Sequence, residues 1–249
     1  MSPAPAHVLL VEDDPSIARF VAMVLDEMPL VLTVSTSAED ALEKMLAAGG
    51  GPAFSLLITD LMLPGMSGVE LIERLNQSCR GSVPTVVFSA GVDPEMQQRL
   101  ESLQVLRILR KPVSVAQLLE CVGSALQAPE SLPGAGAATA QAPQDRAAVD
   151  AFFEGDAVLF LSYRAACLAQ MPLDLAQGQH LLDAREAAGL RRLAHSLKSV
   201  LRMLGRAPLA DAAQVLEQMC LQQDWEGAQG QWQWLQAQLR RLMEDGATA

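Results

Sequence analysis

Residues 54–68 read Phe-Ser-Leu-Leu-Ile-Thr-Asp-Leu-Met-Leu-Pro-Gly-Met-Ser-Gly. The run 54–59 is almost wholly apolar, has strand length, and stops on one carboxylate, Asp60. Such a run suits a strand covered on both faces, the setting of a central strand in a parallel sheet. Pro64 and Gly65 then mark a turn, and 69–78 is helical in its periodicity. The same alternation extends outward in both directions. Before it come a strand at 7–12, a helix at 15–27, a strand at 30–35 and a helix at 38–48 closed by Gly49, Gly50 and Gly51. After it come a strand at 84–89, a helix at 94–103, a strand at 105–109 and a helix at 114–127. Five strands alternating with five helices predict an α/β fold, a doubly wound five-stranded parallel sheet with helices on both faces.

In such sheets ligands bind beyond the carboxyl ends of the strands. Glu12, Asp13 and Asp14 follow the first strand, Asp60 ends the third, Ser89 ends the fourth, and Lys111-Pro112 follows the fifth. Carboxylates gathered on one rim repel each other unless a cation joins them, and an oxygen-only ligand set suits Mg2+. A metal, a lysine and a hydroxyl around one carboxylate make an electrostatic cradle for a phosphoryl group.

The whole chain has 249 residues, enough for two modest domains, and its 50% hydrophobic content is ample for cores. Its 29 acids against 18 bases give a net charge of −11. Residues 1–127 hold 15 acids and 8 bases, and residues 128–249 hold 14 and 10, so neither half has the basic balance that nucleic acid demands. No apolar run approaches the ~20 residues of a membrane span, and the N-terminus lacks the basic and apolar regions of a secretory signal, so the expected location is the cytoplasm. Cys79, Cys121, Cys167 and Cys220 are scattered, with no spacing that suggests a disulfide framework or a zinc site.

Residues 128–144 are rich in Ala, Pro and Gly and read as a linker between a domain at 1–127 and one at 145–249. As a flexible coil this linker spans roughly 23 Å on average. Beyond it strand signals vanish. Helices are expected near 145–152, 156–170, 172–184, 186–204, 208–222 and 226–244, with a break at Pro172, and they predict an all-α four-helix-bundle domain. Within 190–205 the residues Leu190, Leu193, Ala194, Leu197, Val200, Leu201 and Leu204 form one apolar stripe. His195 falls nearly opposite, with Arg191, Lys198 and Arg202, and is expected to be an exposed imidazole on a basic face, able to act as a nucleophile. Lys198 shares that face and could steady a transferred phosphoryl group. His7 and His180 have no assigned role, and Trp225, Trp232, Leu235, Leu239 and Leu242 read as core.

On Glu12, Asp13, Asp60 within ITDLMLPGMSG, Ser89 within VVFSA and Lys111 within RKP, the first half resembles the receiver domain of two-component response regulators. The resemblance implies that Asp60 is the phosphoacceptor and that Glu12, Asp13, Asp60 and the backbone carbonyl of Met62 hold Mg2+. It implies further that Lys111 neutralises the phosphoryl group and that Ser89 hydrogen-bonds to it in the activated state. The family's usual aromatic residue three positions before the lysine is Ile108 here. On His195, Leu197, Lys198 and Gly205, the second half resembles the histidine-containing phosphotransfer (HPt) domain, with Ser199 in place of the usual Gly. His195 is then a second phosphoacceptor.

Together these imply a phosphorelay protein whose partners are histidine kinases or other receiver or HPt proteins, with neither nucleic acid nor membrane as a partner. No kinase ATP site is visible, so the chain is expected not to be an enzyme beyond the receiver's own phosphorylation and dephosphorylation. A phosphorylation-controlled adaptor and a phosphate sink, each with an inactive His195, stand as alternatives.

Overall fold

The computed structural model describes residues 5–47, 54–78, 83–89, 91–92, 94–126 and 143–247. The triglycine at 49–51, Cys79, and residues 128–142 of the expected linker lie outside them. The chain divides into two compact units. The first contains β1 (Ala6–Val11), α1 (Pro15–Leu25), β2 (Leu30–Ser35), α2 (Ala38–Ala47), β3 (Leu56–Asp60), α3 (Gly68–Gln77), β4 (Thr85–Ser89), α4 (Pro94–Ser102), β5 (Arg107–Arg110) and α5 (Val115–Leu126). The second contains α6 (Pro143–Phe152), α7 (Ala157–Asp183), α8 (Ala187–Met203), α9 (Ala207–Gln222) and α10 (Trp225–Ala247).

The sheet is parallel, in the order β2-β1-β3-β4-β5, as the alternation of elements predicts. Its three inner strands are the most apolar, and Val8–Val11, Leu56–Ile58 and Val86–Phe88 are fully buried. The edge strands leave Val31 and Val34 partly exposed. Leu9, Val11 and Leu57 share one face of the sheet and pack on Ala38 and Ala41 of α2 and Leu71 of α3. Helices α1 and α5 pack on each other.

Local chemistry fixes where the helices begin. The Asp14 carboxylate accepts from the N–H groups of Ser16 and Ile17 at 2.7 and 3.0 Å, capping α1 just before Pro15. Ser67 and Glu70 form a reciprocal capping box on α3. Gly68 stands where α3 meets β3; a Cβ there would lie 2.0 Å from the Asp60 carbonyl oxygen, so only glycine allows this approach. Gly65, at φ +72°, turns the intervening loop.

In the second unit α7 to α10 pack cyclically, each on its neighbours, as a four-helix bundle. Their shared core includes Met171, Leu175, Leu190, Leu197, Leu216, Trp232, Leu235 and Leu239. Helix α6 is clamped to the bundle by Asp145, which pairs with Arg206 at 2.9 Å and Arg164 at 3.4 Å. One expectation is corrected: the helices placed at 156–170 and 172–184 are a single helix running through Pro172. Pro172 sits on the exposed face, where water can take the carbonyl freed by the missing N–H. Met171 and Leu175, on either side of it, are buried in the same core, so packing holds the two halves in line.

Candidate functional site

Strand register brings the first set of polar residues together. Val11 pairs with Thr59, so Glu12 and Asp60 emerge side by side at the carboxyl end of the two central strands. Ser89 pairs with Arg110, and the next residue, Lys111, donates its N–H to the Ser89 carbonyl at 2.8 Å. Lys111 reaches back across the strand ends. Its ammonium donates to Glu12 Oε2 at 2.6 Å and to Asp60 Oδ2 at 2.7 Å. The other Asp60 oxygen, Oδ1, accepts from the Met62 N–H at 3.0 Å. Glu12, Asp13 and Asp60 each place a carboxylate oxygen within 4.8 Å of the others. The Ser89 hydroxyl is turned to its own loop, donating to the Gly91 carbonyl at 2.8 Å and accepting from the Gly91 N–H at 3.3 Å. Asp14, used as the α1 cap, is the one acid of the trio after β1 with a purely local task.

This cluster is electrostatically loaded. Burial raises the Glu12 carboxyl well above the usual range, the charges of Asp60 and Asp14 push it further, and Lys111 only partly opposes them. Burial and the Asp60 charge lift Asp13 to about 6. Burial works against the Lys111 charge, but Asp60 and Glu12 outweigh it and hold the ammonium firmly protonated. One lysine does not balance three carboxylates, so the pocket has an excess of negative charge that a cation would relieve. The donors are all oxygen, which fits a hard divalent ion such as Mg2+.

The second set lies on α8 and α9. His195 is only 8% exposed and Lys198 9%, which corrects the expectation of an exposed imidazole on a solvated face. The reason is Glu217 of α9, itself 7% exposed, which covers that face. His195 Nδ1 lies 2.9 Å from Glu217 Oε1, and Lys198 donates to Glu217 Oε2 at 2.6 Å. Among the described residues Nε2 of His195 has no hydrogen-bond partner, and it is not among the buried polar atoms left without one, so it keeps access to solvent. Ser199 Oγ turns back to the His195 carbonyl at 3.4 Å.

Residues 8–123 match the response regulator receiver domain family, and residues 162–245 match the Hpt domain family. The chain is a receiver domain followed by an Hpt domain. It is 28% identical over 225 residues to the sensory/regulatory protein RpfC of Xanthomonas campestris, a match covering 83% of this chain and 29% of that protein. It is 29% identical over 123 residues to the transcriptional regulatory protein YkoG of Bacillus subtilis, covering 49% of this chain and 51% of that one. The chain thus spans about half or less of these curated relatives. A solved structure of the chemotaxis protein CheY4 of Vibrio cholerae is 27% identical, with 49% of this chain and all of that one covered and a TM-score of 0.45.

In the receiver, Glu12, Asp13, Asp60, Ser89 and Lys111 lie at the carboxyl ends of the strands, and Glu12, Asp13, Asp60 and Lys111 meet in one pocket. Ile108 is part of an aliphatic cluster with Val87, Met96 and Leu100 beneath α4. In the Hpt domain, sequence reasoning found His195 and Lys198 but missed Glu217. A signal was present: Glu217 shares the spacing of Ala210, Ala213 and Cys220, so it is a lone acid on the buried stripe of α9.

Glu217 also makes the Hpt domain sensitive to acid. Burial alone would raise its carboxyl, but hydrogen bonds from His195 and Lys198 prevail and lower it from 4.5 to about 2. A group lowered on folding stabilises the fold above its unfolded value, and that contribution is lost as pH falls through the folded value. Between pH 4.5 and about 2 the domain should lose on the order of 3 kcal/mol from this group. Glu217→Gln has no such titration, so the gap in melting temperature between wild type and variant should close over that range. A gap that is constant with pH would contradict the assignment.

Proposed function

We propose that this chain is a phosphorelay intermediate with two phosphoryl carriers, Asp60 of the receiver and His195 of the Hpt domain. The observation that carries the proposal is the convergence of Glu12, Asp13 and Asp60 with Lys111 bonded to two of them. At the receiver, an Asp60 oxygen attacks the phosphorus of a phosphohistidine on a partner, an Asp60–phosphorus bond forms, and the phosphorus–nitrogen bond breaks. Lys111, already on Asp60 Oδ2, neutralises charge on the arriving phosphoryl oxygens. The Met62 N–H fixes the other carboxylate oxygen, and Ser89 turns from Gly91 toward the phosphoryl group. Glu12, Asp13, Asp60 and the Met62 carbonyl would hold Mg2+, which supplies charge neutralisation to the same oxygens. Hydrolysis of the acyl phosphate at Asp60 resets the receiver.

At the Hpt domain, Nε2 of His195 attacks the phosphorus of a partner's aspartyl phosphate, and the partner carboxylate leaves. The partners are accordingly histidine kinases, receivers or Hpt proteins in the same compartment, the cytoplasm. The chain needs no nucleotide site for either step. We assign residues 1–127 to the receiver domain, 128–144 to the linker and 145–249 to the Hpt domain. No described helix is long and apolar enough to cross a membrane.

The metal assignment has a direct test. At a Mg2+ concentration ten times its Kd, linkage adds about 1.4 kcal/mol to the stability of the receiver. Its melting temperature should therefore rise with Mg2+, and Asp13→Ala should abolish most of the rise. An equal rise in wild type and variant would place the ion elsewhere.

A further inference from the structure

The Met62 carbonyl, the one backbone oxygen assigned to Mg2+, belongs to the segment 61–67 that joins β3 to α3. Glu39, in the first turn of α2, reaches this loop from another part of the chain: its Oε1 accepts from the Met66 N–H at 2.8 Å. Gly65 makes room for the approach, because a Cβ there would lie 2.6 Å from that same oxygen. Apolar packing runs beside the hydrogen bond. Leu63 and Met66 of the loop share one buried cluster with Ala38 and Ala41 of α2. Met62 is tied through its N–H to Asp60 Oδ1, so the loop is held at Met62 by Asp60 and at Met66 by Glu39.

The start of α2 is itself anchored to the acidic pocket. Ser35, the last residue of β2, accepts the Glu12 N–H through its carbonyl at 3.0 Å, and its hydroxyl donates to the Asp40 carboxylate at 2.6 Å. Residues 35–41 thus meet the pocket twice, at the backbone of Glu12 and at the loop that carries Met62. A carboxylate in the first turn of a helix is favourable wherever it points, so helix stability alone does not require Glu39 to reach Met66. We propose that Glu39 is a positioning residue for the metal site. By holding the loop at Met66 it sets where the Met62 carbonyl stands, and so sets the affinity for Mg2+, although it is not one of the carboxylates grouped at the pocket. This rests on the Mg2+ assignment made above.

Two substitutions separate position from charge. Glu39→Ala and Glu39→Gln lose the same negative charge, but only glutamine keeps a side-chain oxygen that can accept from Met66. Lost charge alone would weaken Mg2+ binding equally in both. Positioning predicts a split, measured by calorimetry on the full chain. The Kd for Mg2+ should rise about 10-fold in Glu39→Ala, the lower end of the range for a lost contact behind a metal ligand, and stay close to the wild-type value in Glu39→Gln. Amide hydrogen exchange of the metal-free chain reads the same contact with no ion present. Met66 is buried, so without Glu39 its N–H gains an acceptor only when the loop opens to water. Met62 and Met66 should therefore exchange faster in Glu39→Ala than in Glu39→Gln. An equal Kd in the two variants, or equal exchange at Met66, would overturn the proposal and leave the metal assignment standing. A wild-type chain that binds no Mg2+ would overturn both.

Discussion

A chain carrying Asp60→Asn should take up no phosphoryl group on its receiver from Mg2+ and a small acyl phosphate, while wild type becomes labelled. The expected loss is complete, down to the background of the denatured chain. Three carboxylates share the pocket, but their surroundings differ. Glu12 is only 1% exposed and bonded to Lys111, and Asp13 is half-buried. Asp60 has one oxygen on the Met62 N–H at 3.0 Å and the other on the buried ammonium, an arrangement that can hold a phosphoryl group as it arrives, whereas Glu12, also on that ammonium, takes only a longer 3.4 Å bond from the Asp14 N–H. Asparagine keeps the shape but accepts through its one oxygen only, so it retains one of those two hydrogen bonds, and its amide is not a nucleophile. The substitution also removes one of the charges that raise Glu12 and Asp13, and it leaves Lys111 paired with Glu12. The relief of charge offsets the lost hydrogen bond, so the variant should still fold, and a melting curve separates lost chemistry from lost structure. Label remaining on the receiver of a folded Asp60→Asn chain would contradict the assignment.

His195→Gln should remove all acid-labile label that the Hpt domain receives from a phosphorylated receiver. The chain has 3 histidines, so the result discriminates between them. His180 is exposed near the C-terminus of α7, and exposure alone would favour it as acceptor. His195 is more buried, but its Nδ1 is held by Glu217 and its Nε2 faces water, so the reactive atom is prepared although most of the ring is covered. In His195→Gln the Lys198–Glu217 pair persists, which avoids an uncompensated buried charge. Label that survives His195→Gln would assign the transfer to another residue, and the adaptor or phosphate-sink alternatives would then account better for the chain.

The receiver was legible because its signals are local and ordered. Apolar runs at 7–11 and 54–59 mark buried strands, and a parallel sheet places every strand's carboxyl end on one rim. That rule alone brings Glu12, Asp60, Ser89 and Lys111 together over nearly 100 residues of sequence. What it does not give is pairing: Lys111 bridging Glu12 and Asp60, and Ser89 bonded to Gly91 instead, depend on side-chain rotamers set by packing. In the Hpt domain, periodicity located α8 and its core stripe, but a helical wheel shows one helix at a time. His195 reads as exposed until α9 supplies Glu217, and their pairing depends on how two helices lie against each other. Pro172 was read by its local chemistry as a break, whereas packing on both sides of it decided otherwise.

The most direct measurement of the central claim is to map every phosphoryl group on the wild-type chain. The chain is incubated with Mg2+, a small acyl phosphate and a phosphorylated receiver, and analysed by phosphorus-31 NMR and tandem mass spectrometry at neutral pH. The account predicts two modified positions, the carboxylate of Asp60 and Nε2 of His195. A phosphoryl group on Nδ1 of His195, on His180, or on no residue of either domain would contradict it.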